Sequence, residues 1–553
     1  MVAKYLGFRG DGLIRAVAFA STMGFLLFGY DQGVMSGIIT GKTFNHDFPA
    51  TKSKGADDVH TSTIQGTVTA VYELGCFAGA IFALVRGDRL GRRKMIMLGS
   101  TIMILGTIIM VTSVRGHWNL GQFIIGRVVC GVGCGSITST IPSYQAEIAK
   151  KHNRGALVCF EASMIAIGTC IAYWIDFGLD FVPNAVAWRF PIAFQCVFAA
   201  TLLIAIQFLP ESPRWLLTRH REEEALEIIA FLADSTVDDP EVILLKDDMY
   251  ANVKLTQSIK SSKLDIFKRD KTKNLERTLV GASSQIFQQL GGCNAVIYYA
   301  PLLYQNSLGM ERTLALVLSG VTIVVYALFA CIAFWLVEKV GRRPLFIIGS
   351  VGQGLSMTIV FACLIPDTKQ ASKGAAFGIF LYLAFFGATW LCLPWLYPAE
   401  IASMKIRTQA NAVSTSCNWI FNFMVVEITP VMIASIHWGT YLFFACLNFA
   451  FIPFIYFFYP ETKGRTLEEL DVIFAKAHVE HTPAVKVAKN VPYMEHHEIA
   501  EAMRHYDIHD TIGGDPEKEL ENTEKSSSAE SQTSNLAQAS TNSKPEVTIR
   551  DEN

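Results

Sequence analysis

The sequence predicts an all-α membrane protein with twelve transmembrane helices, arranged as two six-helix bundles in parallel repeat. Three observations carry that prediction. Hydrophobic residues make up 51% of the chain and charged residues only 17%, against about 25% in a soluble domain, and the mean hydropathy is +0.32. Apolar runs of about 20 residues recur along the chain, each long enough to cross roughly 30 Å of hydrocarbon. Three short motifs also return at one spacing, which marks two equivalent halves.

The length of the runs argues for helices rather than barrel strands. In order, the spans fall roughly at 14–39, 62–86, 95–114, 118–140, 156–179, 189–209, 276–306, 313–337, 344–365, 373–398, 407–434 and 437–459. Loops 2–3, 4–5, 8–9 and 10–11 hold most of the loop cations, among them Arg86, Arg89, Lys94, Lys150, Lys151, Lys339 and Lys405. The longer loop 1–2 has only Lys42, Lys52 and Lys54, and loop 3–4 only Arg115. The positive-inside rule therefore puts the even loops and both termini in the cytoplasm.

The chain divides into a cytoplasmic N-terminus (1–13), a six-helix bundle (14–209), a cytoplasmic linker (210–275), a second bundle (276–459) and a cytoplasmic tail (460–553). In the linker, Arg221 to Leu232 reads as a short amphipathic helix and Asp238-Asp-Pro-Glu as the start of another. Periodicity fades beyond Phe474, and from about Gly513 the tail is rich in Ser, Glu, Asn and Thr. It cannot bury enough apolar surface to fold and is expected to be disordered.

Gly91-Arg-Arg recurs 250 residues later as Gly341-Arg-Arg, Pro210-Glu-Ser recurs 250 later as Pro460-Glu-Thr, and Glu147-Ile-Ala recurs 253 later as Glu400-Ile-Ala. One spacing for three motifs means a parallel repeat about an axis along the membrane normal. The repeated charges are Arg92, Arg93, Glu147, Arg154 and Glu211 in the first half, and Arg342, Arg343, Glu400, Arg407 and Glu461 in the second. All lie on the cytoplasmic side. Topology alone explains the cations but not the acids, Glu147 seven residues before Arg154 and Glu400 seven before Arg407. These residues are the expected cytoplasmic gate, with ion pairs between the halves that break when the inner face opens.

Several classes are excluded. No GxxxxGK[ST] motif occurs, so nucleotide-driven pumping is unsupported and a gradient must drive any transport. No nucleophile–base set or cofactor motif appears, so neither an enzyme nor a cofactor is expected. The net charge of −2 gives no reason to expect nucleic acid. The twelve cysteines all fall inside spans with no CxxC pair and read as small apolar packing residues. No histidine lies well inside a span, which argues against a metal site or a histidine proton relay.

Asp31 is the costly residue, since a charge in hydrocarbon implies a function and a partner. Eight residues follow it before its span ends, which puts it roughly 12 Å below the outer surface; Arg127, nine residues into span four, lies at roughly 14 Å. Arginine favours the carboxylate and desolvation favours the acid, so separating the pair would let Asp31 take a proton. The alternative is a static ion pair that only fixes packing. Glu73, Glu161 and Glu427 also lie within spans. Glu161 is close to the cytoplasmic end of its helix, and the partners of the other two are not evident.

Span seven is unusually polar, with Gln285, Gln288, Gln289 and Asn294, then Tyr298 and Tyr299 before Pro301. Amides donate and accept, which suits polyhydroxyl ligands better than ions. Gly291-Gly292 and Pro301 permit the helix to break around a ligand. Asn418, Trp419, Asn422 and Trp395 add amides and aromatic faces. Expected substrate contacts are Gln288, Gln289, Asn294, Trp395 and Asn418, with Tyr298 and Tyr299 as the extracellular gate. Polar glue between helices is the alternative for any single amide.

The chain resembles the sugar porter family of the major facilitator superfamily. The matching motifs are Gly87-Asp-Arg-Leu-Gly-Arg-Arg93, Pro210-Glu-Ser-Pro-Arg214, Gln288-Gln-Leu-Gly-Gly-Cys-Asn294 with Tyr298-Tyr299, Glu338-Lys-Val-Gly-Arg-Arg343, Pro394-Trp395 and Pro460-Glu-Thr-Lys-Gly464. The resemblance implies the major facilitator fold, and a proton symporter in which Asp31 carries the proton and Arg127 modulates it. Gly29-Tyr-Asp-Gln-Gly33, Tyr72-Glu-Leu-Gly-Cys-Phe-Ala-Gly79 and Ala172-Tyr-Trp-Ile-Asp-Phe-Gly178 resemble, more narrowly, the yeast glycerol/proton symporters of that family. Where hexose porters have a ligand-binding glutamine this chain has Ala162, where some have an asparagine it has Tyr326, and Trp390-Leu-Cys-Leu replaces a Gly-rich approach to Pro394. Fewer amides and more bulk suit a small polyol.

The expected protein is thus a multi-pass plasma-membrane symporter that brings glycerol or a small polyol inward with protons, with membrane lipid as its surroundings. The rivals are a hexose or disaccharide symporter of the same fold and a nontransporting nutrient sensor that signals through its tail.

Overall fold

The computed structural model describes residues 4–508, apart from 54, 56, 57, 117, 149–153, 259–264, 367, 404 and 507. The tail segment expected to be disordered lies outside the described residues. Among the described residues every regular element is helical.

The first half comprises α1 (Gly10–Ile38), the short α2 (Lys42–Asp47), α3 (Val59–Leu90), α4 (Arg92–Val111), α5 (Asn119–Ile148), α6 (Arg154–Leu179) and α7 (Val186–Gln207). Three short helices follow in the linker: α8 (Pro213–Thr218), α9 (Glu222–Ala233) and α10 (Pro240–Ser258). The second half comprises α11 (Asn274–Leu290), α12 (Cys293–Leu302), α13 (Arg312–Val340), α14 (Arg342–Leu364), α15 (Lys369–Phe385), α16 (Leu393–Ile401), α17 (Arg407–Ile436) and α18 (Gly439–Phe458). Then come α19 (Leu467–Val479), α20 (Ala484–Asn490) and α21 (His496–His505), a helical extension past the point where the periodicity had faded.

Among the described residues, eleven stretches are long and apolar enough to cross a membrane, with 370–401 counting as one. The remaining crossing, expected at 276–306, is in two pieces. α11 stops at Gly291, and Gly292 turns the backbone at φ +94°, a left-handed conformation that glycine adopts without the penalty a side chain incurs. α12 then carries a second kink at Tyr299 (φ −125°, ψ 17°), two residues before Pro301. The crossing at 370–401 is also interrupted, by a π-turn over Phe386–Trp390 between α15 and α16. Both irregular segments belong to the second half and face each other. Broken helices at membrane depth are tolerated where they are buried in protein or line a cavity.

Each half has its own core. Tyr30, Phe44, Phe123 and Trp188 anchor the first, and Tyr326, Phe346, Trp390 and Phe444 the second. The halves meet along α3 against α17 and α6 against α13. On the Gly-Arg-Arg face, the linker packs under the first half through Tyr5 edge-on to Phe231 at 5.2 Å. α19 docks under the second half through an Arg277–Asp471 ion pair of 2.5 Å, with both side chains fully buried.

Candidate functional site: a buried ion pair, an amide cluster and two gates

Asp31 and Arg127 meet as their depths suggested. Arg127 Nη1 donates to Asp31 Oδ1 at 2.8 Å, with the side chains 1% and 0% exposed. Arg127 is also set against α3 by the close approach of α3 and α5: a Cβ on Gly131 would lie 2.2 Å from the Tyr72 carbonyl oxygen, so only glycine fits there. That approach puts Arg127 Nη2 on the Thr69 carbonyl at 3.2 Å and the guanidinium over the Tyr72 ring at 4.6 Å. Arg127 Nε has no acceptor.

The amides lie one layer across, in the second half. Asn418 donates to Gln285 Oε1 at 2.6 Å and to Gln288 Oε1 at 3.0 Å. Gln288 Nε2 donates to the Trp390 carbonyl at 2.7 Å and Gln285 Nε2 to the Pro394 carbonyl at 2.6 Å, tying α11 to the interrupted α15–α16 crossing. Asn294 Nδ2 bridges Gln289 Oε1 (2.7 Å) and Asn422 Oδ1 (2.6 Å). Tyr382 and Asn448 both donate to the Gly291 carbonyl, at 2.8 and 2.9 Å, which caps the break in the crossing. Gln288, Gln289, Asn294 and Asn418 therefore form one cluster, and Gln285 and Asn422 belong to it. Trp395 is half-buried next to Pro394 and shows no side-chain bond to the amides. The aromatic face nearer the interface is Trp419 of α17, which meets Phe28 of α1 edge-on at 5.5 Å and whose buried Nε1 has no acceptor. In the closed arrangement the amides satisfy one another, and a hydroxylated ligand can replace these bonds with its own at little net cost.

The two tyrosines of α12 do different things. Tyr298 donates across the interface to Glu73 Oε1 of α3, while Tyr299 donates to the Val426 carbonyl at 2.9 Å within its own half. Only Tyr298 joins the halves. Further bonds cross nearby: Thr67 to Glu427 Oε1 at 2.6 Å, and Tyr173 to the Ile297 carbonyl. Beyond them, at the end of the bundle opposite the Gly-Arg-Arg turns, Arg312 of α13 reaches Asp180, the residue after α6, at 2.6 Å and the Thr40 carbonyl and hydroxyl at 2.7 Å. Sequence reasoning missed Arg312 and Asp180. They stand outside every motif, and their only signal was an acid and a base at the predicted outer ends of spans five and eight.

At the Gly-Arg-Arg turns the repeat holds to the atom, with a different pairing from the expected one. Glu147 takes Arg92 at 3.1 Å and Glu400 takes Arg342 at 2.8 Å, both within a half rather than between halves. Glu211 accepts the backbone N–H groups of Arg92 (3.1 Å) and Arg93 (3.2 Å), and Glu461 those of Arg342 (2.9 Å) and Arg343 (3.1 Å). Each acid thus caps the N-terminus of α4 or α14, where free N–H groups and the helix dipole favour a carboxylate. Burial pushes the Glu211 carboxyl above its ordinary range, against the backbone bonds and Arg92, which favour the charged form. The side chain of Arg154 lies outside the described residues. Arg407, at the start of α17, is under the charges of Asp471 and Glu468 from α19. The reason is geometric: Glu147 sits at the end of α5 beside α4, and the inter-half surface runs along α3, α6, α13 and α17 instead.

Residues 16–474 match the family model described as "Sugar (and other) transporter". The chain is 49% identical to the sugar transporter STL1 of Saccharomyces cerevisiae over 507 residues, 91% of this chain and 89% of that one. It is 46% identical to the major facilitator superfamily transporter mfsA of Aspergillus fumigatus, over 90% of this chain and 93% of that one. Among solved structures it is similar to the proton:xylose symporter XylE bound to 6-bromo-6-deoxy-D-glucose, with 25% identity and a TM-score of 0.69, covering 84% of this chain and 100% of that one. The chain is a multi-pass membrane transporter, and it belongs to the sugar porter family of the major facilitator superfamily.

Proposed function

We propose that this transporter takes up glycerol or a small polyol across the plasma membrane together with protons, by alternating access. The observation that carries the reading is the sealed Asp31–Arg127 pair one layer from a cluster of buried amides. Protonation of Asp31 from outside releases Arg127 and favours substrate binding between the halves. The halves then rock about the site, substrate and proton leave to the cytoplasm, and the empty carrier returns. Gln288, Gln289, Asn294 and Asn418 hold hydroxyl groups, with Trp419 and Trp395 offering aromatic faces. Tyr298 latches the outer gate, and Tyr299 anchors the segment that carries it. On the inner side, the Arg92–Glu147–Glu211 and Arg342–Glu400–Glu461 clusters keep the inner ends of each half rigid as the gate opens.

Bulk supports a small substrate. Ala162 is buried and brings no amide, and Tyr326 fills space against Phe386 with ring centroids 5.8 Å apart. The likeness to a xylose symporter favours a second reading, a pentose or hexose symporter with the same proton step.

The test is glycerol uptake with external pH recorded, for the wild type and Asp31→Asn. The wild type accumulates glycerol and alkalinises the medium, and the variant does neither. A variant that still accumulates glycerol against its gradient and alkalinises normally would sink the proton assignment. Sugars that outcompete labelled glycerol would replace the substrate.

A further inference from the structure

Glu73 is buried in α3 with 0% exposure, and the proton step above does not use it. Its Oε1 accepts from Tyr298 of the opposite half, while Oε2 has no partner. The groups around it come from four other helices. Arg127 of α5 and Asp31 of α1 both act on it by charge, Asn422 of α17 is within hydrogen-bonding reach, and α12 contributes Tyr298, Tyr299 and Cys293. On α3 itself the neighbours are Tyr72 and Cys76, and Glu427 of α17 is bonded to Thr67 farther along.

Within this set there is one cation for two carboxylates. Arg127 is committed to Asp31 at 2.8 Å, yet its Nε lacks an acceptor just as Glu73 Oε2 lacks a donor. A second carboxylate left charged in this dry site would be costly, because a buried charge is tolerated only when it is paired. Charge balance therefore leaves one proton on the trio, and with Arg127 on Asp31 that proton belongs to Glu73.

We propose that Glu73 is the second carboxylate of the proton site, sharing Arg127 with Asp31 and linking the state of that pair to the Tyr298 latch. When Asp31 takes a proton from outside, Arg127 turns to Glu73 and Glu73 releases its own proton to the cytoplasmic side. On the return Asp31 passes its proton to Glu73, so each cycle moves one proton inward and the trio ends with the charge it began with. The two acids then titrate as one coupled unit. Tyr298 meets a neutral acid in one arrangement and a carboxylate in the other, and charge-assisted bonds are the stronger. The latch at the outer gate thereby senses the proton. The role in transport rests on the proton-coupled reading above, whereas the protonation state does not depend on the substrate.

Infrared spectroscopy of the purified full-length chain in liposomes at neutral pH tests this. The wild type is expected to show the C=O stretch of a protonated buried carboxyl that disappears in Glu73→Gln and shifts in frequency in Glu73→Asp. Asp31→Asn should lose the same band, because it frees Arg127 to hold Glu73 as a carboxylate. If Glu73→Gln fails to fold, the frequency shift in Glu73→Asp decides. A wild-type band that persists in Glu73→Gln, or an unshifted one in Glu73→Asp, overturns the proton on Glu73. A band lost in Glu73→Gln but kept in Asp31→Asn overturns the sharing of Arg127. Absent glycerol-driven alkalinisation with these spectra intact would remove only the transport reading.

Discussion

Arg312 on α13 and Asp180, the residue after α6, lie 2.6 Å apart and belong to opposite halves of the molecule. The same guanidinium also holds the Thr40 carbonyl at the end of α1, so one side chain ties three helix ends together. Both ionic partners are only partly exposed, at 16% and 20%, which shields the pair from full screening.

Arg312→Ala should therefore unlock this end of the molecule. A partly exposed pair is worth about 1 kcal/mol, which corresponds to roughly a fivefold shift of the open–closed ratio toward opening on that face. Labelling of a cysteine introduced under the gate by a membrane-impermeant reagent measures it. An unchanged labelling rate would show that Arg312 does not hold the gate.

The central pair makes a different prediction, about stability. Arg127→Ala leaves Asp31 buried and unpaired, which costs about 3–5 kcal/mol. Replacing both partners by apolar residues of similar shape, Asp31→Leu with Arg127→Met, should recover most of that loss while leaving the proton step absent. Thermal melts of the purified single and double variants compare them. Equal melting temperatures for the two would mean that Arg127 does more for packing than pairing with Asp31.

Gly292→Ala tests the break between α11 and α12. A Cβ there would stand 2.8 Å from the Phe444 ring on a backbone at φ +94°, so crowding and strain add. Left-handed strain at a non-glycine residue costs about 1–3 kcal/mol. The variant should melt lower and transport more slowly. A melt and an uptake rate like those of the wild type would show that the crossing can straighten without harm.

Within the amide cluster, Asn418→Leu removes the donor that Gln285 and Gln288 share, leaving the buried Gln285 Oε1 unsatisfied and Gln288 Oε1 with only the long 3.5 Å bond from Gln289. A lost neutral hydrogen bond to substrate is worth about 1 kcal/mol, so KM for glycerol should rise by roughly five- to tenfold. Initial uptake rates over a range of glycerol concentrations measure it. An unaltered KM at normal surface expression would place the substrate elsewhere.

Much of this site was legible in the sequence because membrane chemistry is severe. A charge such as Asp31 stands out where nearly every neighbour is apolar, and depth along a straight helix is a matter of counting, so Arg127 could be matched to it. The glycine pair at 291–292 likewise announced a break, because few other residues can make that turn. The gate charges were read correctly as a repeat but joined to the wrong partners. Nearness along the chain pointed to Arg154 and Arg407, while the Arg92–Glu147 and Arg342–Glu400 bonds join residues 55 and 58 positions apart on different helices. The Tyr298–Glu73 and Arg312–Asp180 bonds were invisible for the same reason, since each spans more than 130 residues and no local pattern records it.

By itself, then, the sequence determined the membrane class, the parallel repeat, the polar residues that had to have partners and the family to which they belong. The family rests on motifs it shares; the rest are consequences of composition, period and depth, which a hydrocarbon solvent enforces on every helix separately. Only the tertiary structure decided which partners most of those residues take: Tyr298 for Glu73, Arg312 for Asp180, and the capping acids for the Gly-Arg-Arg turns. Side-chain pairing depends on rotation about each helix axis and on how closely two helices approach, and both are set by packing among all the helices together.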